Sequence, residues 1–84
     1  MDKTMISHKL TDVFSDVFNL DKEQVTGDLA YASIQTWDSV AHMVMVAEVE
    51  EIFDIMMDTD DIIEMSTFQK SVEIIERIVV EQNG

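Results

Sequence analysis

Cysteine is absent from this 84-residue chain, so no disulfide and no thiolate metal site can hold it together. Proline is absent as well, and no Pro-rich stretch marks a linker. Basic residues are scarce: five Lys and Arg stand against eighteen Asp and Glu, a formal charge of −13. Such a surface repels nucleic acid and anionic membrane and attracts basic patches on proteins. No apolar run approaches the ~18 residues that span a bilayer, and no signal-peptide core follows the polar start Met1-Asp2-Lys3-Thr4. A cytoplasmic protein without nucleic-acid binding or membrane insertion is the expectation. High charge with few apolar residues would imply disorder, but 46% of the residues are hydrophobic and they are periodic, so a folded domain is favoured.

The apolar period is helical. Met5, Ile6, Leu10, Val13, Phe14 and Val17 mark one face of a first helix from about Thr4 to Phe18, ended by Asn19-Leu20-Asp21. A second helix runs from Ser39 to Phe53 with Asp38 as its N-cap. Met45, Val49, Ile52 and Phe53 share one side of it, and His42 and Val46 lie at the border. Asp60 to Met65 forms one or two short helical turns. Ser66-Thr67-Phe68-Gln69 has the S-x-x-Q form of a capping box and opens a last helix, whose stripe is Phe68, Val72, Ile75 and Val79 with Ile74 and Ile78 beside it. The connection from Asn19 to Trp37 is longer than most loops in compact domains. Leu20, Val25, Leu29, Ile34 and Trp37 are spaced along it as anchors across the bundle. The fold class is all-α: one domain over residues 1–84, a small four-helix bundle of three longer helices and one short helix with a long first loop.

Few residues are placed to do chemistry. Asp38, Ser39 and His42 invite a serine-hydrolase reading, but no strand and no G-x-S-x-G elbow precedes the serine, and His42 reads instead as a half-buried helix residue. Asp58-Thr59-Asp60-Asp61 begins like a calcium loop, yet Ile63 stands where Gly is needed and Gln69 where the bidentate Glu is needed. His8 and His42 alone make no zinc site. Seven methionines, five of them around the second and third helices, read first as core filling and secondly as a core able to open to a flexible apolar ligand. The informative pair is Asp38-Ser39, between a polar turn-rich stretch and an apolar helical run. A serine there has its hydroxyl in solvent, and the first free N–H groups of the helix would stabilise a phosphate ester on it. This is a site for attachment, not turnover.

From about Leu10 to Ile78 the chain resembles the acyl carrier proteins. The likeness is carried by Trp37-Asp38-Ser39-Val40, by Glu48-Val49-Glu50-Glu51-Ile52-Phe53-Asp54 with Phe53 fourteen residues after the serine, and by the helix order. The resemblance implies that Ser39 carries 4′-phosphopantetheine, attached by a phosphopantetheinyl transferase from coenzyme A with magnesium, and that Asp38 supports the attachment. It implies a non-catalytic, monomeric carrier, whose partners are a loading ligase for acyl or aminoacyl groups and a downstream transferase or synthase. Carriers of fatty acid biosynthesis typically have acidic residues at the positions of Ala41 and Val44. Here those charges are gone, Trp37 replaces a small residue and Val40 the usual Leu. Val40, Val44 and Ala47, at i, i+4 and i+7, form an apolar docking face with Glu50 and Glu51 among the charges near its end. This favours a specialised biosynthetic pathway. The rival reading is a non-catalytic acidic helical module that binds or inhibits a basic protein, with Ser39 a mere helix-start residue.

Overall fold

The computed structural model describes residues 2–83, which form an all-helical bundle with no strand. Four α-helices follow in order: α1 (Lys3–Phe18), α2 (Ser39–Phe53), α3 (Thr59–Glu64) and α4 (Phe68–Asn83). Three are long and one is short, as the periodicity predicts. The long first loop contains one 3-10 turn, Lys22–Gln24, too short to leave an apolar period in the sequence.

Local chemistry explains most of the boundaries. Asp2, Asp38 and Asp58 each sit in extended backbone, and each side chain accepts the N–H of the residue three positions on. α1 and α2 end on Asn19 and Asp54 in the left-handed conformation, whose N–H groups return to the carbonyls of Ser15 and Glu50. The third helix begins a residue earlier than the apolar pattern places it, because Asp58 caps it; Asp60 and Asp61 then stand in its first turn, where the helix dipole favours carboxylates. The calcium-like run is therefore a helix start. Asp61 is turned toward α4, where it pairs with Arg77, which also holds Glu81.

The start of α4 departs from the expected capping box. Thr67, not Ser66, supplies the cap: its hydroxyl oxygen accepts the Lys70 N–H at 3.0 Å. The first loop supplies the rest. The Phe68 N–H donates to the Leu29 carbonyl and the Gln69 N–H to that of Gly27, both at 2.9 Å, while the Tyr31 N–H donates to Ser66 at 2.8 Å. Three orphan donors of a helix are thus satisfied, two of them by loop carbonyls 39 (Phe68 to Leu29) and 42 (Gln69 to Gly27) residues away in the chain, which pins the loop across the bundle.

The core is drawn from every long helix and from the loop. Ile6, Leu10, Val13, Phe14 and Phe18 of α1 meet Met45, Val46, Val49 and Phe53 of α2 and Val72, Ile75, Ile78 and Val79 of α4. Trp37 is fully buried, and Leu20, Val25, Leu29 and Ile34 pack half-buried against the same core, so all five loop anchors hold. Trp37 stacks on Phe18 at 5.0 Å between ring centres and meets Phe14 edge-on at 5.0 Å. Such aromatic pairs contribute about 0.5–1.5 kcal/mol each beyond their area. Two residues assigned to helix faces lie outside the core: Met5 is 52% exposed and Ile52 41%. Met5 falls well off the arc of Ile6, Leu10 and Phe14, and Ile52 sits at the margin of the arc set by Met45, Val49 and Phe53.

Candidate functional site

Ser39 is the first residue of α2 and is exposed. Its position is set from both sides. Upstream, the Ala32 N–H donates to the Trp37 carbonyl at 3.1 Å, closing a turn that delivers the Trp37 ring to the core. Ala32 adopts φ 63° to make this turn, a left-handed conformation that costs a non-glycine residue roughly 1–2 kcal/mol. Downstream, the Asp38 carboxylate accepts the Ala41 N–H at 2.8 Å and the Asp38 carbonyl accepts that of His42 at 2.9 Å. The N–H groups of Ser39 and Val40 have no carbonyl one turn behind them and point outward at the positive end of the helix dipole. The Ser39 hydroxyl is held on a rigid helix start, between a buried indole and an apolar helix.

His42 is buried and fully committed. Its Nδ1 accepts the Trp37 Nε1–H at 3.0 Å, and its Nε2 lies 2.8 Å from the Ile62 carbonyl oxygen. An indole only donates and a carbonyl only accepts, so the ring is the neutral Nε2–H tautomer. No lone pair remains to take a proton from Ser39. The hydrolase reading loses its base, and His42 stands as a structural bridge between the loop, α2 and α3, more buried than its position at the border of the helix face suggests.

An open apolar groove of about 360 Å³ lies against Ser39. Tyr31 and His42 wall one part of it, Met43 another, and Ile62, Ile63 and Met65 close it from α3 and the following turn. Sequence spacing had pointed to a methionine-rich region around these helices; it had no means of showing that Tyr31 and Ile63, far apart in the chain, face the same serine.

Val40, Val44 and Ala47 form an exposed stripe along α2 below Ser39, with Val40 73% and Val44 49% exposed. Met43 (52% exposed) flanks it, and Glu51 is exposed at its lower end. Glu50 is placed differently. It lies off the stripe, half-buried, and its carboxylate accepts the Met57 N–H at 2.9 Å, fastening the turn between α2 and α3.

The fold is an acidic all-α bundle of the acyl-carrier type, with Phe53 buried at the end of α2. No family model matches the chain. Over 75 residues it is 28% identical to a protein named acyl carrier protein from Lactobacillus johnsonii, a match that covers 89% of this chain and 94% of that protein. Helix order and this similarity together support the acyl carrier protein family for the chain, and with it a carrier role in general terms. None of the described helices is long and apolar enough to cross a membrane.

Proposed function

We propose that the chain is a carrier that holds an acyl or aminoacyl group as a thioester on a 4′-phosphopantetheine arm attached to Ser39, and presents it to partner enzymes of a specialised biosynthetic pathway. The observation that carries this reading is the exposed Ser39 on the capped start of α2, beside an apolar groove, in a chain similar to an acyl carrier protein. The residues present fit such a group. The outward N–H groups of Ser39 and Val40 suit a phosphodiester, and the groove walls suit the less polar length beyond it. When bound, the arm supplies the thiol that carries the cargo.

The chain's own part is positioning. In the attachment step the Ser39 Oγ forms a bond to phosphorus and its proton passes to the transferase. The pyrophosphate bond of coenzyme A breaks, and adenosine 3′,5′-bisphosphate leaves. Asp38 keeps the helix start rigid through the Ala41 N–H and offers its second oxygen to the transferase or its magnesium. Val40, Val44 and Ala47 give partners an apolar footing. Glu51 and Glu48 add charge for basic docking patches, which chiefly speeds encounter, and Glu50 contributes charge from the side. The cytoplasm supplies both coenzyme A and the transferases.

Incubation with coenzyme A and a broad-specificity phosphopantetheinyl transferase, followed by intact-mass measurement, tests the reading. One added phosphopantetheine on the wild type and none on Ser39→Ala is the expected result. Label on the alanine variant, or on Ser33 or Ser66, refutes the site. No label on a folded wild type returns the chain to the rival class, an acidic module that binds a basic protein.

A further inference from the structure

The groove beside Ser39 ends inward at the His42 imidazole, and directly behind that ring lies Trp37. The two rings stack, 6.1 Å apart and 11° from parallel, and Trp37 in turn stacks on Phe18. Trp37 has no exposed surface, and the Met65 side chain at the groove floor has none either. The opposite wall is α3, a helix of six residues with none fully buried. Its polar ties to the rest of the bundle include the His42–Ile62 bond and the Asp61–Arg77 pair. The wall most able to move is therefore latched by the same imidazole that closes the inner end.

We propose that the Trp37–His42–Ile62 bridge is a gate that limits the cargo on Ser39 to a short acyl group, with His42 as the specificity-determining residue. The inference rests on the carrier reading above and names the class of its cargo. A chain entering beyond the open groove has to displace the imidazole. That breaks both bonds of His42: the indole N–H is left unpaired in the interior with a full desolvation penalty, and the Ile62 carbonyl loses its partner at a half-buried position. One or two further buried methylenes return less than this, and the four by which octanoyl exceeds butyryl return about as much as the broken bonds cost. The groove volume of about 360 Å³ lies at the low end of the roughly 300–1,000 Å³ of ligand pockets, so there is room for a short group and for part of the arm. A longer chain stays outside in solvent or on the partner enzyme.

The test uses the full chain, loaded at Ser39 by a broad-specificity phosphopantetheinyl transferase from coenzyme A, butyryl-coenzyme A or octanoyl-coenzyme A. Intact mass reports loading, and the thermal midpoint and the Trp37 indole N–H resonance report burial. In the wild type, butyryl loading raises the midpoint over the bare arm, octanoyl raises it no further, and the indole resonance stays in place. In His42→Ala, octanoyl raises the midpoint several degrees above butyryl. His42→Gln restores the limit, because its amide oxygen can accept from Trp37 and its amide N–H can donate to Ile62. A wild-type midpoint that climbs from butyryl to octanoyl, or an indole resonance moved by octanoyl alone, overturns the gate. The same chain-length profile in His42→Ala and wild type also overturns it. If His42→Ala does not fold, the wild-type series decides by itself. Absence of added mass refutes the carrier reading instead, before any chain length is compared.

Discussion

Substitution at the start of α4 separates two cap assignments that differ by one residue. The sequence pattern Ser66-x-x-Gln69 assigns the cap to Ser66, whereas the Thr67 hydroxyl is the group that accepts the Lys70 N–H, at 3.0 Å. Ser66 is exposed and takes part through its backbone, its carbonyl accepting from Tyr31. Thr67→Ala removes a side-chain acceptor from a helix N-terminus, a loss of about 0.5–2 kcal/mol, with ~1 typical. The Phe68 and Gln69 N–H groups keep their loop carbonyls and the Ser71 hydroxyl keeps its bond to the Thr67 carbonyl, so the loss is confined to one donor and stays near the middle of that range. For a domain of this size 1 kcal/mol moves the thermal midpoint by about 4–8 °C. Ser66→Ala, which removes no bonded side-chain atom, should stay within about 0.5 kcal/mol, the range of ordinary surface substitutions. Thermal unfolding followed by far-ultraviolet circular dichroism at fixed salt reads both. Thr67→Ser should fall close to wild type. A Ser66→Ala midpoint as low as that of Thr67→Ala, or lower, refutes the assignment of the cap to Thr67.

Two further outcomes follow from the surface. Val44→Asp should weaken loading by a cognate ligase or transferase by roughly tenfold, the ~1–2 kcal/mol of one lost apolar contact. Helical content should be unchanged, because Val44 is already half in solvent; unchanged kcat/KM with the cognate partner refutes the docking face. Added NaCl should raise the thermal midpoint of this −13 chain, since α2 carries Glu50 and Glu51 in its last turn with no basic residue there to oppose them and the Debye length shrinks from about 30 Å at 0.01 M to about 8 Å at physiological ionic strength. MgCl₂ at matched ionic strength should raise it more by binding the native state. A midpoint indifferent to both salts means the carboxylates do not strain the fold, and equal effects leave screening in place without bridging sites.

Much of this protein was legible in its sequence because the deciding interactions are local. Asp38 caps α2 through a neighbour three residues away, so the cap, the helix start and the exposure of Ser39 can be derived from four consecutive residues and the free N–H groups of a helix end. α4 separates a clean apolar stripe from charged positions, and its buried apolar residues follow from period alone, whereas Ser71, equally buried through its bond to the Thr67 carbonyl, does not. α2 is apolar nearly all round, so period alone left Ile52 on the wrong side of the boundary and His42 at the border. Only the tertiary structure decided the rest. His42 became a bridge because folding brings the loop indole and the α3 carbonyl to its two nitrogens, twenty residues apart in the case of Ile62. The cap of α4 was shared out between Thr67 and the carbonyls of Gly27 and Leu29 for the same reason: backbone donors take whichever acceptor the packed chain delivers, and a hydrogen bond between segments far apart in sequence leaves no periodic trace in either. The groove at Ser39 is likewise a space between elements, and its walls come together only when the hydrophobic core sets α3 against α2.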